Sequence, residues 1–189
     1  RTVYAAEGAG RATRGTGSVV RAPAGCYSLS VNSVGPMAVN KPLFKRRPDD
    51  PLADLVPMVQ IADVPNVLVG APELPARTFE EFIAYAKANP NKLNYGSTGI
   101  GTSSHVSSFM LASRGGFTAT HIPYKGAEAL KDLLAERIQF MFATIPAVTG
   151  QIRSGSLVAL AVSSTKRSRT LRVGRRARVS GCPRRPPGR

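Results

Sequence analysis

Cysteine, histidine and acidic residues are scarce in this 189-residue chain, and each shortage excludes something. Two cysteines, Cys26 and Cys182, cannot build a disulfide framework or a Cys-rich zinc site, which needs four ligands at short spacings. The two histidines, His105 and His121, stand 16 residues apart with no HExxH or CxxC near them, so no metal or other cofactor is expected. No stretch approaches the roughly 20 apolar residues that a bilayer needs. A secretory signal would show a basic start, an apolar run and a small-residue cleavage site, and RTVYAAEGAGRATRG has none of these. The expectation is a chain without an export address, cytoplasmic as it stands.

Eleven acids face 26 lysines and arginines, for a net charge of +15 that would point to nucleic acid or an anionic surface. The charge is not spread evenly. Residues 166–189 carry +10 with no acid, residues 1–21 carry +3, and the 144 residues between carry 12 bases and 10 acids. A near-neutral body of 42% hydrophobic composition therefore bears a basic end. That end has no periodicity and no aromatic residue, so disorder is expected from Lys166 onward. Phosphate contacts by its arginines remain an alternative function, that of a nucleic-acid-associated protein. Without interleaved aromatics or a folded motif, no specific nucleic acid is expected.

Along the body, Tyr27–Ser33 alternates apolar and polar residues as a strand does, and Gly35-Pro36 breaks it. Before it lies a glycine-rich stretch (Gly8, Gly10, Gly15, Gly17) that reads as irregular. The prolines at 42, 48, 51 and 57 favour loop over 40–56 with one short helical turn. Met58–Ala62 and Asn66–Val69 read as short strands. Thr78 and Glu81 form a capping box ahead of a helix over Phe79–Asn89, whose apolar face is Phe79, Phe82, Ile83 and Ala86. Strand and helix then alternate: strands over Leu93–Gly96, Thr118–Ile122, Ile138–Phe142 and Leu157–Val162, and helices around Val106–Ser113, Glu128–Glu136 and Pro146–Arg153. The pattern is that of an α/β protein with a parallel sheet and crossover helices.

The densest local signal is GSTGIGTSSH, a glycine-rich turn from strand to helix with five hydroxyl residues between Ser97 and Ser104. Unpaired N–H groups and the macrodipole at a helix start attract anions, and small residues let a ligand approach the backbone. Its G-x-x-G-x-G spacing is neither a dinucleotide fingerprint nor a P-loop, since no Lys-Ser/Thr pair follows. Two readings stay open: a carboxylate or phosphate cradle, or a plain N-cap with glycines for a tight turn. His105, one helical turn after Gly101, could touch a bound anion or serve structure alone, and His121 reads as packing. Ser104 and His105, adjacent in sequence, are not a nucleophile and base on that ground, and no G-x-S-x-G exists in the chain, so no enzyme is expected. Tyr124-Lys125-Gly126 falls at the strand edge where α/β proteins bind ligands, or is a solvated turn.

The segments YSLSVNSVGPMAVN, ADVPNVLVGAPELPARTFEEFIAYAKANPNKLNYGSTGIGTSSH, HIPYKGAEALKDLLAERIQFMF and GSLVALAVSSTKRS resemble, in order, a Bug-type substrate-binding protein of tripartite tricarboxylate transporters. The resemblance covers residues 15–167. It implies a periplasmic-binding-protein type II-like fold, with a parallel-rich sheet and crossover helices and one lobe incomplete. It also implies a periplasmic receptor that closes two lobes over a small organic carboxylate and works with the transporter's membrane components. Carried onto this chain, the first-lobe contacts are Ser33, Val34 and Gly35. The second-lobe contacts are Ser97, Thr98, Gly101, Thr102 and Ser103 with His105 beside them, and Tyr124 and Lys125 match the PYKG motif.

The expected division is a first-lobe remnant over 1–25, a partial first lobe and crossover over 26–72, a second lobe over 73–165 and a tail over 166–189. Where the family continues with the rest of its C-terminal lobe, this chain has an Arg-, Gly- and Pro-rich run. The expectation is a truncated, frameshifted member that has lost part of its site. Sequencing the gene past codon 165 tests it, and no family-like residues in another frame would sink it.

Overall fold

The computed structural model describes residues 2–5, 9–23, 28–39, 43 and 50–164, with backbone alone for 2–5 and 9–14. The first unit is a βαβ crossover. Strand β1 (Thr2–Ala5) pairs in parallel with β2 (Ser28–Val31), Thr2 opposite Ser28 and Ala5 opposite Val31, and helix α1 (Ala9–Val20) connects them. Among the described residues of the stretch 1–25, which the sequence leads one to expect as irregular, 2–5 form a strand and 9–20 a helix. Three glycines inside a helix each cost about 1 kcal/mol relative to alanine, which is why the run reads as a breaker. Tertiary contact overrides that propensity. Thr16 of α1 is fully buried and its Oγ1 donates to Asn32 Oδ1 at 3.3 Å, while Asn32 Nδ2 donates to Ser30 Oγ at 2.8 Å.

After β2 the chain enters a π-helical turn, Gly35–Val39, with Gly35 and Pro36 buried. The single helical turn expected within 40–56 is α2 (Pro51–Asp54), capped by Asp50, whose carboxylate accepts the Leu52 N–H at 3.2 Å. The strand expected at Met58–Ala62 does not form: residues 55–65 have no regular secondary structure and no ladder partner among the described residues, and Val56, Met58, Val59 and Ile61 face solvent. An apolar extended run becomes a strand only where another backbone offers its N–H and C=O groups.

The second unit is a five-stranded sheet of β3 (Asn66–Gly70), β4 (Leu93–Ser97), β5 (Ala119–Pro123), β6 (Phe140–Thr144) and β7 (Val158–Val162), in the order β5-β4-β6-β3-β7. β4 runs parallel to β5 and β6, whereas β3 is antiparallel to β6 and β7. The sheet is therefore parallel-rich but not wholly parallel. β3 is reached through the irregular segment 55–65 and not through a crossover helix, so no βαβ unit dictates its direction. Its pairing also moves the expected boundary at 72: residues 66–70 pair within the second sheet.

Helices α3 (Phe79–Ala88), α4 (Ser103–Gly115), α5 (Glu128–Leu134) and α6 (Ile145–Arg153) cover the two faces. The predicted capping box is present: Thr78 Oγ1 accepts the Glu81 N–H at 3.2 Å and Glu81 Oε2 accepts the Thr78 N–H at 3.1 Å. α3 and α4 pack over Leu93, Tyr95, Phe140 and Leu160, with Phe82 edge-on to Phe117 and Phe140 at centroid distances of 5.9 and 5.1 Å. The opposite face buries Val67, Val69, Ala129, Leu133, Ile138 and Val148. Strand alternation sorts β4 between them. Leu93 and Tyr95 face α3 and α4, and Gly96 faces Ile138, Tyr124 and Ala129 on the other side. Ser97 continues the first series and so meets the start of α4. Among the described residues, no helix is long and apolar enough to cross a membrane.

Candidate functional site

The chain leaves β4 at Ser97 and enters α4 at Ser103 through a turn that needs glycine twice. Gly99 and Gly101 have φ of 144° and 80°, values that L side chains rarely adopt. Those angles rotate the Gly99 carbonyl inward, where it accepts from Thr102 Oγ1 at 2.6 Å, Ser97 Oγ at 3.2 Å and the Thr102 N–H at 3.3 Å. A carbonyl oxygen repels a carboxylate, so burying this one under three donors removes an unfavourable charge from the turn's outer side. The N–H groups of Ser103 and Ser104, which open α4, have no carbonyl one turn behind them within the helix. The His105 N–H is capped by Thr102 Oγ1 at 3.5 Å. Anion affinity at such an end comes from these donors and the helix dipole together.

Beneath the turn lies a hydroxyl network centred on Ser104, which is buried. Ser104 Oγ accepts the Thr98 N–H at 3.1 Å and contacts Thr98 Oγ1 at 3.3 Å and Thr102 Oγ1 at 2.9 Å. Ser97, fully buried, lies 2.7 Å through its Oγ from His121 Nε2 and also accepts the Gly99 N–H at 3.3 Å. Ser97 has one proton. If that proton goes to the Gly99 carbonyl, His121 must donate from Nε2, and this assignment satisfies all three contacts.

His121 is sandwiched between Tyr95, stacked at 4.9 Å, and His105, tilted at 4.2 Å between ring centroids. Burial first, and the neighbouring imidazole second, push its pKa down to about 4. Burial lowers that of His105 as well, so both rings are neutral at pH 7. The Gly101 N–H donates to His105 Nδ1 at 3.3 Å.

The structure brings together Ser97, Thr98, Gly101, Thr102, Ser103 and His105, as the strand-to-helix turn predicts. It sets Gly35 against them: a Cβ at Gly35 would lie 3.1 Å from the Gly101 carbonyl oxygen, so the turn after β2 and the turn after β4 touch backbone to backbone. Ser33 and Val34 precede that contact and are exposed. Tyr124 does not join the cluster through its side chain. Its N–H continues the ladder to the Ser97 carbonyl at 3.0 Å, while its ring packs with α5 on the opposite face. There burial, followed by Asp132, raises its pKa. Lys125 is exposed on the turn that follows.

Two members of the cluster escape sequence reasoning. Ser104 reads as one hydroxyl among five, and only its burial marks it as the hub. His121 reads as packing, and its bond to Ser97 depends on the parallel register that sets it beside Tyr95, two positions short of Ser97. Among the described residues no three His, Cys, Asp or Glu side chains gather as metal ligands.

The comparisons with known proteins bear on the family and the fold. Protein BugT of Bordetella pertussis (strain Tohama I) is 36% identical over 156 residues, covering 82% of this chain and 48% of BugT. Among solved structures, R. palustris Rpa4515 with adipate superposes with a TM-score of 0.77 at 31% identity, covering 82% of this chain and 52% of that one. The periplasmic binding protein BugD superposes with a TM-score of 0.70 at 31% identity, covering 86% and 54%. The chain thus spans about half the length of the relatives it matches. Residues 3–174 match the tripartite tricarboxylate transporter family receptor, TctC, a family of periplasmic receptors and not of enzymes. With that match running through both βα turns of the site, the chain belongs to the TctC family of tripartite tricarboxylate transporter receptors.

Proposed function

We propose that this chain is an extracytoplasmic solute receptor that takes a small organic carboxylate between the Ser33–Gly35 turn and the Ser97–His105 turn. It passes that solute to the membrane components of a tripartite tricarboxylate transporter. The observation that carries the reading is the inward Gly99 carbonyl. Three donors hold it away from the ligand side, so the turn presents N–H groups and hydroxyls at the start of α4. In this reading Ser103 and the first-turn amides meet the carboxylate. Ser97, Thr98 and Thr102 hold the turn in shape, and Val34 and Gly35 form the facing wall. A relative at 31% identity is described with adipate, which supports the carboxylate class. The nucleic-acid alternative rests on residues 166–189, which lie outside the described residues.

The test is a thermal melt of the full chain with acetate, succinate, adipate and citrate. A ligand present at 100 times its dissociation constant stabilises the native state by about 2.7 kcal/mol. For a chain of this size that raises the midpoint by roughly 5–10 °C. One class of carboxylate should give that shift. A midpoint indifferent to every acid would refute the receptor reading for this chain.

A further inference from the structure

The bond between Gly101 and His105 has a chemical condition attached to it. Imidazole can accept at Nδ1 only when that nitrogen carries no proton, so the Gly101 N–H requires neutral His105 with its hydrogen on Nε2. Gly101 itself is buried, sits in the left-handed region, and presses its carbonyl on the position of a Gly35 Cβ. The residue that links the two turns is therefore held in place by one ring nitrogen. That ring is fixed in turn: His121 lies against it at 4.2 Å and is itself held by Ser97 Oγ and by the stacked Tyr95.

Few charges surround it. Among the described residues, the titratable groups packed on His105 from other elements are His121 of β5 and, behind it, Tyr95 of β4. The first turn of α4 has no acid, and the Gly35–Val39 turn facing Gly101 has no charged residue. Among the described residues, a proton arriving on His105 would find no carboxylate to offset it, and it would meet an N–H where it needs an acceptor.

We propose that His105 is the positioning residue of the anion turn: its neutral ring accepts the Gly101 N–H and fixes the turn, and its protonation releases Gly101 and weakens carboxylate binding. This rests on the receptor reading above. It differs from a direct ionic role in sign. A His105 that touched the ligand would bind a carboxylate more tightly once charged, whereas a positioning His105 loses affinity as pH falls.

The experiment has two arms on the full chain. Without ligand, the Gly101 amide resonance is followed from pH 8 to pH 5 together with the His105 ring. The two should titrate together, and a Gly101 amide that ignores the ring overturns the proposal. With adipate as probe, affinity is measured by calorimetry over the same range for wild type, His105→Asn and His105→Leu.

The Asn carbonyl can accept the Gly101 N–H but does not titrate, so this variant also reports the protonation of adipate itself. The wild type should lose affinity relative to His105→Asn by up to about tenfold per pH unit below the His105 titration. His105→Leu should bind weakly throughout. Wild-type binding that tightens in acid, or the same pH profile in His105→Asn, overturns the proposal. Absence of adipate binding by the wild type at pH 8 overturns the binding half of the proposal, and the receptor reading falls with it only if acetate, succinate and citrate leave the melting midpoint unmoved as well. The amide titration still decides separately whether His105 holds Gly101.

Discussion

Ser104 and Ser108 lie one helical turn apart on α4, both buried, and the same substitution should affect them differently. Ser104→Ala removes the acceptor of the Thr98 N–H and a partner of the Thr98 and Thr102 hydroxyls. An orphaned amide costs about 1–3 kcal/mol. Alanine returns about 0.5 kcal/mol of helix propensity, so a net loss of about 1–2 kcal/mol is expected. Ser108 Oγ donates to the Ser104 carbonyl at 2.9 Å, an oxygen the helix ladder already serves. Ser108→Ala deletes the donor with its own proton and leaves nothing unpaired. Its loss of about 0.5–1 kcal/mol is nearly cancelled by the propensity gain. Urea unfolding of the full chain should move the Ser104→Ala midpoint down by about 0.5–1 M and leave Ser108→Ala nearly in place at an unchanged slope. If Ser108→Ala is as costly as Ser104→Ala, burial of a serine and not the orphaned Thr98 amide sets the cost, and the hub argument fails.

Stability should fall in acid through His121, whose pKa drops from 6.5 in the unfolded chain to about 4 on folding. Between those values only the unfolded chain binds the proton, so stability is full above pH 6.5, is lost down to pH 4 and changes no further below that for this group. The whole difference corresponds to about 3 kcal/mol, and partial solvation of the ring reduces it to about 1–2 kcal/mol. His121→Gln should flatten this limb in urea titrations at pH 7 and pH 4.5, and an unchanged limb would remove His121 as its cause. Gly35→Ala puts a methyl group 3.1 Å from the Gly101 carbonyl, where backbone must give way by tenths of an ångström. Carboxylate affinity should drop by about fivefold, in line with an overpacking cost of roughly 1 kcal/mol. An unaltered affinity would mean that the two turns do not share a ligand.

The second unit was legible because its signals are local. Thr78 and Glu81 announce a helix through one reciprocal pair of hydrogen bonds, and that pair is present. The alternation of Leu93, Tyr95 and Ser97 assigns faces before any neighbour is known. The misreadings come from terms that a local pattern does not contain. Three glycines argue against α1, yet the helix packs against two paired strands and its Thr16 is tied to Asn32. Met58–Ala62 carries the composition of a strand but has no ladder to join among the described residues. β3 reads as one more parallel strand because composition does not encode direction, which follows from how the chain arrives.

The site divides along the same line. Glycines and hydroxyls in a strand-to-helix turn are visible in sequence, and they are the parts whose work is done by backbone geometry within six residues. What stayed hidden is which of these groups faces a ligand and which faces the protein. Ser97 and Gly101 are site residues by motif, but Ser97 Oγ is committed to Gly99 and His121, and the Gly101 N–H to His105. Both shape the turn from behind. His121 enters from a strand 24 residues away, through a register that no spacing rule anticipates. A motif that marks a binding turn therefore identifies the segment before it identifies the contacts. On the receptor reading proposed above, the inner layer of hydroxyls and imidazoles determines which backbone groups are left to meet an anion.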